Sequence, residues 1–292
     1  MKSCLILGAS GWLGKSTLSY LTMRHPNLKL TLVGSVKKNI LFRNVKYDVI
    51  SFEDFLTIKD NSYDIFLNYA FLTGNTVRDM PSKNFLMNTN SLINGACSFI
   101  KQNNINKMLL TSSGAIYNNK TPNETIYGIQ KEKQEKELVT ACTLMGTQYS
   151  VARIFAVIAN HYNFSYEYAF TSFVKQALNG SNIKIESKNM VIRSYLFFDY
   201  LLDYFLNSNE NKIYDAWNVN LDIYELAKVI SNIYKTEITL NDNYFLSNEI
   251  NEYISHDNFF SEKMPLAGDL NAIIKETILF SESEKNKIEI NM

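Results

Sequence analysis

Cysteine is scarce in this chain. Cys4, Cys97 and Cys142 are odd in number and far apart. They form neither a disulfide framework nor a metal-ligand spacing, and read as reduced, buried thiols of a cytoplasmic protein. Histidine is equally rare: His25, His161 and His256 are scattered, so no metal is expected. An excess of either charge is lacking as well, since 29 Lys and Arg balance 29 Asp and Glu. A nucleic-acid binder needs surplus positive charge to release counterions, so that class is excluded. Long apolar runs are also missing. The run after Lys2 is about five residues long, against the roughly twenty that span a bilayer, so neither a leader peptide nor a membrane anchor is expected. No internal repeat or long linker interrupts the chain.

What is present is apolar content: 46% of 292 residues, enough for a sizeable core. Cys4–Leu7 reads as a buried strand ending at Gly8. A helix follows over Lys15–Met23, stopping before Pro26, and then a strand over Leu28–Val33. Asp64–Asn68, Lys107–Thr111 and Tyr149–Ala156 read as further strands, with helices over Asn84–Gln102 and Ile129–Cys142. This alternation implies an α/β fold with a doubly wound parallel sheet and right-handed crossovers. The second half reads as a helix over Tyr168–Leu178, strands over Ile183–Ile185 and Ser194–Phe198, and helices over Tyr224–Tyr234 and Leu270–Phe280. Asp199 is placed to cap a helix, and the tail after Glu282 reads as frayed.

Gly8, Gly11 and Gly14 recur at every third position directly after the first strand, in Gly8-Ala9-Ser10-Gly11-Trp12-Leu13-Gly14. Such a loop lets the backbone approach a pyrophosphate, whose charge then meets a helix N-terminus. At the end of the second strand, an NAD site usually carries Asp or Glu for the ribose 2′-hydroxyl. Here the sequence is Val33-Gly34-Ser35-Val36-Lys37-Lys38. No carboxylate stands there to repel a 2′-phosphate, while Ser35, Lys37 and Lys38 offer a hydroxyl and two ammonium groups. NADP(H) is therefore expected, with NAD as the alternative.

Tyr127 and Lys131 lie four residues apart, on one face of a helix. A phenol titrates near pH 10 and is a poor base at neutrality, but a neighbouring ammonium favours its ionised form. Ser113, just past a strand, supplies a hydroxyl for a substrate oxygen. Loop, serine and Tyr-Lys pair, in that order, point to redox chemistry on a carbinol or ketone.

On these residues the chain resembles the extended short-chain dehydrogenase/reductase family, in particular its nucleotide-sugar epimerases, dehydratases and 4-ketoreductases. The resemblance runs through almost the whole chain. It implies a Rossmann domain over 1–156, with 194–220 returning to it, and a smaller α/β substrate lobe from 157–193 and 221–292. It implies catalytic roles for Ser113, Tyr127 and Lys131. Lys131 would orient the cofactor ribose and lower the Tyr127 pKa. The same resemblance gives cofactor contacts to Gly8, Ser10, Gly11, Trp12, Leu13, Gly14, Asp48 (after the third strand), Tyr69, Ala70, Asn88, Thr111 and Phe155. Arg193, in Arg193-Ser194-Tyr195-Leu196-Phe197-Phe198-Asp199, would meet a substrate diphosphate or its ribose, and its alternative role is a structural salt bridge.

Three departures qualify the match. Ala159-Asn160 replace the family's glycine-proline, and the loop between Tyr117 and Tyr127 is short. Gly114-Ala115 follow Ser113 where 4,6-dehydratases carry Asp-Glu, which disfavours elimination. The expected activity is a 4-ketoreductase for a nucleotide-activated sugar, in surface-polysaccharide or lipopolysaccharide synthesis. The alternative is a 4-epimerase with tightly bound NAD. A reductase of small carbonyls and a non-catalytic dinucleotide sensor rank lower. A homodimer is expected through the helix after Asn84 and the helix of Tyr127, with Leu86, Leu92, Ile93 and Phe99 suited to burial.

Overall fold

The computed structural model describes residues 2–117, 122–161, 168–246, 249–285 and 288–291. The chain begins with β1 (Ser3–Leu7), α1 (Trp12–Arg24), β2 (Lys29–Val33), β3 (Lys38–Phe42), β4 (Val45–Ile50), α2 (Phe52–Phe55) and β5 (Ser62–Asn68). Next come α3 (Gly74–Asp79), α4 (Ser82–Gln102), β6 (Asn104–Ser113), a 3₁₀ turn (Gly114–Tyr117), α5 (Pro122–Met145) and β7 (Gln148–Ile154). Then follow β8 (Ala156–Ile158), α6 (Ala169–Leu178), β9 (Ile183–Ile185), β10 (Met190–Phe197), α7 (Phe198–Asn207), β11 (Lys212–Ala216) and β12 (Val219–Asp222). The remainder comprises α8 (Ile223–Tyr234), β13 (Ile238–Leu240), β14 (Ile250–Tyr253), α9 (Phe259–Lys263), α10 (Leu270–Lys285) and β15 (Ile288–Asn291).

Two compact units form. The first takes residues 1–154, 202–214 and 286–292, and the second takes 155–201 and 215–285. The sheet of the first unit runs β11-β7-β6-β5-β1-β2-β4-β3-β15. From β7 to β4 every pairing is parallel, while β3 and β15 join antiparallel at one edge. Strand order reverses between β1 and β5. In such a sheet, ligands bind at that switch point, outside the carboxyl ends of the strands. Leu5, Leu7, Phe66, Met108, Leu110 and Val151 from the strands meet Ile93, Phe99 and Leu138 from α4 and α5. These central strands are buried on both faces, which is why they read as unbroken apolar runs.

In the second unit, β10 pairs antiparallel with β12 and parallel with both β14 and β8. The amphipathic helix α8 lays Leu226, Val229 and Ile230 into a core with Phe170, Phe173 and Tyr195. Asp222 caps α8 by accepting the Tyr224 N–H at 3.0 Å.

Several sequence expectations are corrected. The strand expected over Tyr149–Ala156 is broken at Phe155, and its two pieces join different sheets. Asp199 lies inside the first turn of α7 and accepts from Asn160 Nδ2 at 2.8 Å, so it does not cap the helix from outside. The tail is not frayed over 288–291, where β15 pairs with β3. Backbone hydrogen bonds to an open sheet edge hold it there. All three cysteines are buried and free, and burial pushes their thiols up, to about 11 for Cys97 and about 12 for Cys142. Among the described residues no helix is long and apolar enough to cross a membrane, and no cluster of His, Cys, Asp and Glu offers a metal site.

Candidate active site

The glycine loop is built so tightly that side chains are excluded by backbone. Gly8 follows β1 with φ of +92°, and its N–H and that of Ala9 both donate to Val33 O, at 3.0 and 2.9 Å. A Cβ at Gly8 would lie 3.0 Å from Ala70 N, across the switch point. At Gly14 a Cβ would fall 2.3 Å from Gly8 O and 2.5 Å from Ala9 Cα, so α1 packs directly on the turn. Gly11 precedes α1 with no side-chain cap, and the first turn carries no acid. The opening N–H groups of that helix thus face no built-in anion. Ser10, Trp12 and Leu13 are half-buried around this turn. A cradle that any Cβ would fill, beside an unneutralised helix start, fits a dinucleotide pyrophosphate.

The rim at the end of β2 is equally crowded. A Cβ at Gly34 would meet Val49 Cγ1 at 3.0 Å and Ser10 Oγ at 3.1 Å, so a side chain fits there only if those two side chains give by a few tenths of an ångström. Ser35 and Lys37 are exposed beyond it. Asp48, expected after a strand, instead lies within β4 opposite Asn39, exposed and two residues short of the strand end. At the end of β5, Asn68 is buried and accepts the Ala70 N–H at 3.2 Å. The Tyr69 hydroxyl accepts from Thr17 of α1 at 2.9 Å, and burial raises its pKa. The phenol of Tyr69 therefore faces α1. Asn88 is exposed on α4, its Nδ2 4.0 Å from Met80 Sδ. The next residue of α4, Thr89, is buried, and its Oγ1 donates to Gln130 Oε1 of α5 at 3.2 Å.

The three residues with expected catalytic roles converge where β6 meets α5. Ser113 closes β6 and its Oγ accepts the Ala115 N–H at 3.1 Å, which starts the 3₁₀ turn. Helix α5 lies hard against that turn, because a Cβ at Gly128 would be 2.5 Å from Ala115 O. Tyr127, the neighbouring residue, meets Phe71 in a T-shaped ring pair, with centroids 5.8 Å apart. One turn further along, Lys131 is 5% exposed. Its Nζ donates to Thr111 O at 3.0 Å and to Gln134 Oε1 at 3.1 Å, and lies 4.0 Å from the Phe71 ring centroid. Phe71 therefore touches both members of the pair. Burial pulls the Lys131 pKa from 10.5 down to about 7, with Glu135 acting in the opposite sense. Thr111 thus serves the site through its carbonyl.

Glu135 is itself held by Arg153 of β7, through Nε at 3.0 Å and Nη2 at 2.7 Å. Arg153 Nη1 also donates to the Tyr117 hydroxyl at 2.6 Å. This buried pair ties β7, the 3₁₀ turn and α5 together. Sequence reasoning missed Phe71, Gly128 and Gln134. Gly128, adjacent to the tyrosine, and Gln134, three residues from the lysine on the same helix face, carried readable signals. Phe71 carried none.

In the second unit, Phe155 packs against Tyr253 with ring centroids 4.9 Å apart. Arg193 lies on β10 and donates to two backbone carbonyls, Ile192 O at 2.9 Å and Asn251 O at 2.7 Å. Burial lowers its pKa, and Tyr195, Tyr253 and Tyr244 oppose that shift. No ion pair neutralises it among the described residues, so the salt-bridge alternative does not hold. A half-buried guanidinium without a counterion suits an anionic ligand.

Residues 4–219 match the family described as the NAD dependent epimerase/dehydratase family. No curated protein matches the chain. Among solved structures it is similar to UDP-N-acetylglucosamine 4-epimerase from Methanobrevibacter ruminantium in complex with UDP-N-acetylmuramic acid. That match has 18% identity and a TM-score of 0.72, covering 97% of this chain and 98% of that one. It is also similar to UDP-glucuronic acid 4-epimerase from Bacillus cereus in complex with UDP-glucuronic acid and NAD, at 13% identity, TM-score 0.72, and 96% and 99% coverage. RMD from Pseudomonas aeruginosa, complexed with NADPH, matches at 17% identity, TM-score 0.67, and 97% and 99% coverage. At these identities the likeness is one of fold.

Proposed function

This chain belongs to the NAD-dependent epimerase/dehydratase family, a family of enzymes, and on that premise we propose that it reduces a 4-keto group on a nucleotide-activated sugar with NADP(H). The observation that carries the reading is Lys131, buried and held to about pKa 7 one helical turn from Tyr127, at the strand end that presents Ser113. Gly8, Gly11 and Gly14 would hold the dinucleotide pyrophosphate at the start of α1, with Ser10, Trp12 and Leu13 around it. Thr111 and Lys131 would hold the nicotinamide end. When bound, the reduced dinucleotide supplies a hydride. The Ser113 hydroxyl positions the substrate carbonyl oxygen, and Tyr127 gives that oxygen its proton as the alcohol forms. Lys131 stabilises the phenolate left behind. Arg193 takes the diphosphate of the nucleotide. Gly34 and Ser35 at the end of β2 provide no carboxylate for a ribose 2′-hydroxyl, which supports NADP(H) over NAD.

A 4-epimerase is the second reading, favoured by the likeness of the fold to solved 4-epimerases. The two readings part in one assay. Mixed with NADPH and a nucleoside-diphosphate 4-keto-6-deoxysugar, a reductase lowers absorbance at 340 nm in step with product. A 4-epimerase interconverts nucleotide sugars with no net change at 340 nm. Absence of both activities across the common nucleotides would refute the proposal.

The protein is further proposed to work in the cytoplasm, where its three thiols stay reduced, in the synthesis of surface-polysaccharide sugars. It pairs as a homodimer through α4 and α5. Ile93 and Phe99 lie in the core, while Met87 on α4 and Ile129 on α5, 60% and 54% exposed, would supply apolar contacts to that pairing.

A further inference from the structure

Phe71 lies past the end of β5 and touches α5 at two places one helical turn apart. It forms the T-shaped pair with Tyr127 at 5.8 Å, and the Lys131 ammonium sits over its ring at 4.0 Å from the centroid. Phe85 of α4, fully buried, forms a second T-shaped pair with the same ring at 6.4 Å. Aromatic neighbours from α4 and α5 thus fix the plane that the ammonium meets. The backbone just before it is tied to α5 as well, because Gln134 Nε2 donates to Ala70 O at 3.5 Å.

The ammonium has no carboxylate partner among the described residues. Its contacts are Thr111 O, Gln134 Oε1 and the Phe71 ring. Charged and titratable groups on the elements packed around it are engaged elsewhere or exposed. Glu135 of α5 is held by Arg153 of β7, which also meets Tyr117 of the 3₁₀ turn. Lys107 of β6 donates to Ser208 O, and the Tyr69 hydroxyl is bonded to Thr17. Arg78 and Asp79 of α3 and Lys83 and Lys101 of α4 are exposed. An aromatic face attracts the charged amine and not the neutral one, so the ring opposes the burial that disfavours charge on Lys131.

We propose that Phe71 is a positioning residue, whose ring holds Lys131 in its charged form and fixes the Tyr127 ring one helical turn away. This role rests on the reading of Tyr127 and Lys131 given above.

The test is urea unfolding of the full chain without cofactor, from about pH 5 to 10. Lys131 is compared with Lys131→Met in three backgrounds: Phe71, Phe71→Leu and Phe71→Tyr. The stability difference is constant while Lys131 is charged in both states. It begins to shrink where the folded lysine loses its proton, at about pH 7 in wild type. Phe71→Leu removes the aromatic face and should move that onset down by about one pH unit. Phe71→Tyr keeps the face and should leave the onset in place. The pH above which NADPH-dependent reduction declines should move with the onset. If Phe71→Leu does not unfold cooperatively, Phe71→Met takes its place. A ring that merely packs would lower stability equally with Lys131 and with Met, and would leave the onset unmoved. That result, or an equal shift in Phe71→Tyr, would overturn the proposal and leave the roles of Tyr127 and Lys131 standing. A wild-type difference with no onset in this range would overturn it together with the reading of Lys131. A shifted onset in a protein that does not turn over with NADPH would uphold the role of Phe71 and refute the reductase.

Discussion

The sharpest physical consequence of the site concerns Lys131 and pH. In the unfolded chain this lysine titrates at its ordinary 10.5, and in the folded protein burial holds it at about 7. At about 1.4 kcal/mol per pH unit, the difference sets a ceiling of about 5 kcal/mol on its effect on stability. The sign follows from proton counting. Between pH 7 and 10.5 the unfolded state binds the extra proton, so stability rises with pH in that window. Below pH 7 the lysine is charged in both states and the burial penalty is present in full. Lys131→Met keeps most of the volume and removes the charge. Urea unfolding of wild type and variant, without cofactor, should find the variant more stable by several kcal/mol at pH 6. The gap should close steadily towards pH 10. Taking the difference between the two proteins cancels the other titrating groups. A gap that does not change from pH 6 to 10 would refute a buried, depressed lysine, and with it the claim that Lys131 is poised to influence Tyr127.

Further outcomes follow from the same geometry. Tyr127→Phe keeps the ring against Phe71 and removes only the hydroxyl, so kcat should fall by about 10²–10⁴-fold with calorimetric dinucleotide affinity unchanged; near-normal turnover would contradict the assigned proton donor. Gly128→Ala drives a methyl to 2.5 Å from Ala115 O and must lift α5 from the 3₁₀ turn, lowering kcat by about 10²-fold in steady-state assays. Arg193→Ala should raise KM for a nucleotide-sugar by about 10-fold or more and leave kcat nearly intact. Arg153→Met leaves Glu135 buried and unpaired, and should lower stability by about 3 kcal/mol in urea unfolding.

The parallel strands were legible because burial on both faces writes them as apolar runs bounded by glycine or asparagine. The hairpin of β3 and β4 was not. Its turn is Arg43-Asn44, both at positive φ of 51° and 64°, and arginine gives no signal for such a turn. Without that hairpin, Asp48 reads as lying after a strand instead of within β4. The β15 segment, Ile288-Glu289-Ile290-Asn291, is too short to announce a strand until β3 offers it an edge. Ser113, Tyr127 and Lys131 were readable because their spacing is local. Phe71, which touches both Tyr127 and Lys131, comes from another element, and only folding brings it there.

Both outer edges of the large sheet are closed by strands that lie far along the chain: β11 beside β7, and β15 beside β3. A fragment ending at Ile154 would hold Ser113, Tyr127, Lys131 and the whole glycine loop, yet would expose two unpaired ladders. Such edges recruit other chains, so this piece should aggregate rather than behave as a free-standing cofactor domain. Closing them also demands contacts between residues far apart in sequence, which slows folding. The order of the segments along the chain thus makes the half that carries the glycine loop depend on late-arriving strands for its solubility.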